Sequence, residues 1–114
     1  MTFSELPEFS RDFKILLKKY KTLNDDLLVL KQVIEVFPNE RPPFSYRINN
    51  LAIKSYVVKV KKIACKSLTG KGVNTGLRLI YAFIPEEQKI VLIEMYHKNN
   101  QNQEDKRRIL ANFN

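Results

Sequence analysis

The sequence predicts an α+β domain in which a helical hairpin packs on a small, antiparallel-rich sheet. Three observations carry this reading. Apolar residues of the first third recur at helical spacing. From Tyr56 onward they alternate with a period of two or form short continuous runs. Two of those runs are separated only by Pro85-Glu86-Glu87-Gln88, a connection so short that the strands must pair antiparallel. A chain of 114 residues suits one domain, spanning 1–114, able to bury roughly two thirds of its unfolded surface.

Thr2 to Leu6 is short enough for a single strand. Pro7 then suits the first helical turn, where its missing N–H costs nothing. Phe9, Phe13, Leu16, Leu17 and Tyr20 follow as an apolar stripe, with Arg11, Lys14, Lys18 and Lys19 largely opposite. Thr22-Leu23-Asn24 breaks the pattern. Asn24 is expected as an N-cap, with Asp25 and Asp26 complementing the dipole of a second helix. Leu27, Leu30, Val33 or Ile34, and Phe37 continue it, and Pro38 stops it. The short link implies an antiparallel pair. Residues 40–44 read as a loop from their prolines, and Ser45 to Lys54 shows no legible pattern.

Alternation places Tyr56, Val58 and Val60 on one side of a strand and Val57, Lys59, Lys61 and Ile63 on the other. A glycine-bearing turn covers Gly70 to Gly76. Leu77 to Ile84 and Lys89 to Tyr96 are the next two strands, apolar enough in their middles for both faces to be partly covered. The polar run Asn99 to Gln103 leads to a short helix at Glu104 to Leu110, acidic first and basic later. The expected order is β-α-α-β-β-β-α, with the helices on one face of the sheet.

Charge is unevenly spread. Residues 1–50 hold eight basic and seven acidic side chains, whereas residues 51–114 hold twelve and five. Almost all of the net +8 therefore lies in the strand-rich half, which favours an anionic partner such as nucleic acid. Cys65 is the only cysteine, so no internal disulfide forms, and in an apolar strand it reads as packing. Met1-Thr2-Phe3-Ser4-Glu5 has neither the basic start nor the apolar run of a leader, and no apolar run is long enough to span a bilayer. The expected location is cytoplasmic.

Gly70-Lys71-Gly72 with Gly76 has the wrong spacing for a phosphate-binding loop and precedes a strand rather than a helix. The single His and single Cys lack metal-ligand spacing, and no carboxylate pair stands out, so neither metal nor other cofactor is expected. What remains is cationic chemistry. Lys59 and Lys61 share a strand face by alternation, Arg78 lies on the next strand, and Tyr96, His97 and Lys98 end the third. Cleavage of RNA by its own 2′-OH needs a base, cations for the phosphorane and an acid for the departing 5′-oxygen. A lysine desolvated to lower pKa suits the base or the charge. The planar fork of Arg78 suits a phosphate. His97 suits acid or base work near neutral pH, and Tyr96 suits stacking or hydrogen bonding.

The order of elements and four segments together resemble the RelE/ParE superfamily of bacterial toxins. The segments are Lys59-Val60-Lys61-Lys62, Ser67-Leu68-Thr69-Gly70-Lys71-Gly72, Gly76-Leu77-Arg78-Leu79-Ile80-Tyr81 and Ile90 to Lys98. Phe9-Ser10-Arg11-Asp12-Phe13-Lys14 fits the start of the family's helical hairpin. The resemblance implies a RelE-like fold and a toxin of a type II toxin–antitoxin system that cuts mRNA in the ribosomal A site, inhibits translation and is neutralised by a cognate antitoxin. RelE-like members use two lysines on one strand and an arginine on the next, matched by Lys59, Lys61 and Arg78. HigB-like members end the last strand with a Tyr-His pair, matched by Tyr96-His97, and Lys98 matches a basic residue near that point in RelE. Lys62, Lys66, Lys71 and Lys98 are expected to bind RNA, and Lys62 or Lys66 is an alternative to Lys59 or Lys61. The family's C-terminal tyrosine is absent, because residues 99–114 contain no Tyr. Two alternatives stand beside the nuclease: a ParE-like inhibitor of DNA gyrase, and a non-catalytic RNA- or protein-binding module.

Overall fold

The computed structural model describes residues 1–113. Its elements are β1 (Thr2–Glu5), α1 (Pro7–Lys19), α2 (Leu23–Val36), β2 (Ser45–Arg47), β3 (Tyr56–Val60), β4 (Leu77–Ile84), β5 (Lys89–His97) and α3 (Lys106–Asn112), with a 3-10 turn at Pro85–Glu87. The five strands form one mixed sheet in the order β1-β5-β4-β3-β2. Only β1 and β5 run parallel; the other pairs are antiparallel.

The sequence reading omitted β2. Three residues are too few to show a period, and Ser45 is buried whereas Tyr46 and Arg47 are exposed. Tertiary pairing with β3, Tyr46 opposite Lys59, makes the strand. Asn24 is not the cap of α2. The helix already includes Leu23, and Thr22 precedes it in a helical conformation with no side-chain cap bond. Instead the Thr22 hydroxyl donates to Asp26 at 2.8 Å and accepts from the Ser67 N–H at 2.9 Å, tying the loop after β3 to the helix start. Pro7 opens α1 and α2 stops ahead of Pro38, as the sequence indicates, but Phe37, expected to continue the buried stripe, lies just past the helix end and is exposed.

Both faces of the sheet are covered. Phe9, Leu16, Leu23, Leu27, Leu30 and Ile34 of the helical pair pack on Val58, Val60, Leu79, Tyr81, Leu92 and Met95. On the other face Ile109 of α3 and Ile48 pack with Val57, Ile80, Ala82, Val91, Ile93 and Tyr96. The expectation that all helices share one face is therefore corrected: α3 lies opposite the hairpin. Ile63 also changes sides. The strand ends at Val60, so alternation stops, and Ile63 joins the first core rather than that of Val57. Among the described residues no helix is long and apolar enough to cross a membrane.

A register shift in the β4–β5 pair shapes everything at its outer end. Ile80 faces Glu94 but Tyr81 faces Leu92, so Ile93 is an extra residue. Ile93 and Glu94 thereby both look toward the C-terminal segment: Ile93 packs with Ile109, and Glu94 accepts from the Asp105 N–H at 2.8 Å. Arg108 completes the attachment, donating to the Ile93 carbonyl at 3.0 Å and to Asp12 of α1 at 2.8 Å. The outer end of the pair is closed by Gly76, at φ +85°, where an added Cβ would lie 2.8 Å from His97 Nε2.

Gly76→Ala is expected to lower stability by about 1–3 kcal/mol through left-handed strain and the clash with His97. A urea denaturation series measures it; a midpoint equal to the parent's contradicts this packing.

Candidate nucleic-acid interface

Arg78 and Tyr96 are opposite partners near the end of the hairpin, followed by Leu77 opposite His97. Side chains alternate across a strand, so successive partners point to opposite faces. Arg78 lies on the α3 face of the sheet. Its Nη1 donates to the carbonyls of Lys61 at 3.2 Å and Leu77 at 3.1 Å, which fixes the guanidinium against the end of β3. Beside it opens a cleft of about 270 Å³ lined by Pro43, Tyr46, Lys61, Lys62, Asn74, Gly76, Arg78 and Lys98. Four of those side chains are cations and none is a carboxylate. The Lys62 ammonium donates to Asn74 Oδ1 at 2.8 Å, and that of Lys61 stands 4.9 Å from the centre of the Tyr46 ring. Like charges converging without a counter-ion favour an anion at that point, and a guanidinium held by its own backbone suits a phosphate.

A second cleft, of about 510 Å³, shares Asn74 and Lys98 with the first. Lys19, Tyr20, Lys71, Thr75, His97 and Asn99 are among the residues that line it. His97 is on the helix-covered face, its ring stacked on Tyr20 with centroids 6.2 Å apart. Nε2 lies 2.8 Å from the Thr75 carbonyl, so it carries the proton and donates. Nδ1 accepts from the Asn99 N–H at 3.1 Å. Both ring nitrogens are thus engaged in holding the turn after β5 to the turn before β4.

No protein-family model, curated protein or solved structure matches the chain.

Lys59 does not join the four cations. Its ammonium donates to Glu104 at 2.9 Å, the two side chains being 17% and 9% exposed, so water competes little for the pair. Burial alone pulls the Lys59 pKa down, but Glu104 and Tyr96 outweigh it and hold the group above its ordinary 10.5. The sequence-based expectation of a lysine desolvated into a base is corrected for Lys59: it is a cation in an ion pair. Burial pushes the Glu104 carboxyl up, yet Lys59 prevails and holds it below 4.5. Tyr96 is 5% exposed, and its hydroxyl is buried with no hydrogen-bond partner among the described residues. Its ring centre lies 6.0 Å from the Lys59 ammonium, and burial raises its pKa. Glu94 is 3% exposed and its pKa is raised, again by burial, although it accepts from the Asp105 N–H and from Gln101.

The predicted residues therefore divide. Lys61, Lys62, Arg78 and Lys98 converge on one cleft. Lys71 and His97 line its neighbour. Lys59 and Tyr96 form a half-buried cluster with Glu104, held beneath the segment that follows β5. Lys66 does not line the cleft of Arg78; it lines a largely apolar groove along α2 with Val29, Val33, Phe44 and Val73, which Lys62 and Asp26 also border. Arg78, Tyr96 and His97 lie together at one end of the sheet, but alternation puts His97 on the opposite face from the other two. Sequence reasoning missed Tyr46, Asn74 and Lys19. Tyr46 lies on the strand too short to see, and Asn74 on a turn whose path no local pattern sets.

Lys59→Met is expected to cost about 1–3 kcal/mol at pH 7, because it leaves the Glu104 carboxylate buried and unpaired. The sign follows from linkage. A carboxyl with a depressed pKa contributes stability above its unfolded value, near 4.5, and loses it as pH falls through the folded one. A raised lysine contributes below 10.5 and loses that as pH rises through its folded value. The gap between variant and parent should thus be a plateau at neutral pH and shrink in acid. Urea midpoints across that range measure it; a gap that persists unchanged at low pH contradicts the ion-pair account.

Proposed function

We propose that this protein is a RelE-like toxin of a type II toxin–antitoxin system: an mRNA endoribonuclease, metal-free, acting in the cytoplasm on message in the ribosomal A site. The observation that carries the RNA reading is the cleft in which Lys61, Lys62, Arg78 and Lys98 converge with no carboxylate among the lining residues. The ribosome, the A site and the neutralising antitoxin rest on the family resemblance.

In this reading a backbone phosphate sits against the anchored guanidinium of Arg78. The 2′-oxygen of the preceding ribose attacks phosphorus, the bond to the 5′-oxygen breaks, and a 2′,3′-cyclic phosphate forms. Negative charge grows on the phosphorane oxygens, where the Arg78 guanidinium and the ammonium groups lining the cleft would stabilise it. One such preorganised donor is worth about 10²–10³-fold in rate. His97 is tied to Thr75 and Asn99, and Lys59 is held charged by Glu104. The departing 5′-oxygen therefore takes its proton from an ammonium of the cleft, and the 2′-hydroxyl proton leaves to solvent water, which later reprotonates the amine.

The same bonds on His97, with the covered Tyr96, favour a second reading: a non-catalytic module that binds RNA by the same cleft. Nothing in the geometry specifically favours the gyrase inhibitor.

The test is a purified translation reaction with the ends of the message mapped. The expected outcome is cleavage of ribosome-bound message, reduced about 10²–10³-fold by Arg78→Ala in a protein of parental stability. Intact message at every protein concentration overturns the nuclease, and retained RNA binding then selects the non-catalytic module. Blocked gyrase supercoiling with intact message points to the ParE-like alternative.

A further inference from the structure

Tyr46 is an aromatic side chain on an edge strand, 39% exposed, with no place in either apolar core. Its partner in the β2–β3 register is Lys59, which in turn pairs with Ile80 of β4. Tyr46 and Arg78 therefore rise from the same face of the sheet, and both line the four-cation cleft. The ammonium of Lys61 stands 4.9 Å from the Tyr46 ring centre. That cation–π contact steadies the ring and puts positive charge next to it. Tyr46 also lines a neighbouring hollow together with Asn49, Asn50, Lys59, Lys61 and Glu104, the last being paired with Lys59.

We infer that Tyr46 is a stacking platform for one unpaired base of a single-stranded RNA whose phosphates lie in the cleft of Lys61, Lys62, Arg78 and Lys98. The inference rests on the proposed RNA reading and narrows its substrate to single strands. A π-face beside a cationic groove is the arrangement by which single strands are held without sequence preference. A base inside a duplex has no free face to offer the ring. The neighbouring amides of Asn49 and Asn50 carry both donors and acceptors, which suits the polar edge of a base laid on Tyr46.

The test is fluorescence anisotropy with a short labelled oligouridylate, the same strand annealed to oligoadenylate, and an abasic strand with the same phosphates. Tyr46→Ala should weaken binding of the single strand roughly 5- to 150-fold. Tyr46→Phe, which keeps the ring, should bind close to the parent. The abasic strand should bind the parent as weakly as the uridylate binds Tyr46→Ala, with no further loss when the two changes are combined. The duplex should bind more weakly than its single strand. Parental affinity in Tyr46→Ala alongside a loss in Arg78→Ala overturns the stacking role and leaves the RNA reading standing. An equal loss for Tyr46→Ala on uridylate and abasic strands also overturns it, since the ring then acts only through protein structure. Failure of the parent to bind any of the RNAs overturns both.

Discussion

The pairing register of the last two strands is the constraint on which the rest of this structure depends. Arg78 opposite Tyr96, then Leu77 opposite His97, is a sequence of cross-strand partners that must alternate between faces. It sends the guanidinium to the face of α3 and the imidazole to the face of the helical hairpin. The extra residue at Ile93 then turns Ile93 and Glu94 together toward the C-terminal segment. Glu94 accepts the Asp105 N–H and Arg108 takes the Ile93 carbonyl, so α3 is fastened to the irregularity itself. That attachment brings Glu104 over Lys59. A one-residue slip would reverse each of these assignments at once.

The register also separates six of the twelve cations of the strand-rich half into two groups. Lys59 and Arg108 are neutralised in place, by Glu104 and by Asp12. They fasten the segment after β5 to the sheet and to α1, and they are shielded from solvent ions by burial. Lys61, Lys62, Arg78 and Lys98 are gathered round a cleft with no carboxylate among its lining residues. Their repulsion is offset when an anion enters, and the attraction weakens with salt because the cleft is open to solvent. The net charge read from the sequence thus divides into a part that holds the fold and a part left for a ligand.

Most of the framework was legible in the sequence, for local reasons. Pro7 and Pro38 mark helix ends by their own stereochemistry, and the link Pro85 to Gln88 leaves its two strands no choice but to pair. The stripes Phe9-Phe13-Leu16 and Leu27-Leu30-Ile34 identify buried faces without knowledge of what covers them. The site was only half legible. Arg78 and Lys98 sit on or beside the two strands that the short link from Pro85 to Gln88 pairs, and both line the cleft. His97 ends the last strand as read, but its face is set by cross-strand parity with Leu77, which the sequence reading did not assign. The ion pair of Lys59 was not legible, because its partner, Glu104, lies 45 positions away on a segment joined through a bulge that no local pattern announces. Tyr46 was invisible because three residues of strand carry no period, and only the neighbouring β3 makes them a strand.

The claim at the centre of this account is that single-stranded RNA enters the cleft of Lys61, Lys62, Arg78 and Lys98. The most direct measurement is a titration of isotope-labelled protein with a short single-stranded oligoribonucleotide, followed by amide chemical shifts. Perturbations should centre on residues 43–46, 61–62, 74–78 and 98, and spare the opposite end of the sheet at Lys54, Pro85 and Glu86. Shifts centred on that opposite end, or on the α2 groove around Val29 and Lys66, would contradict the account.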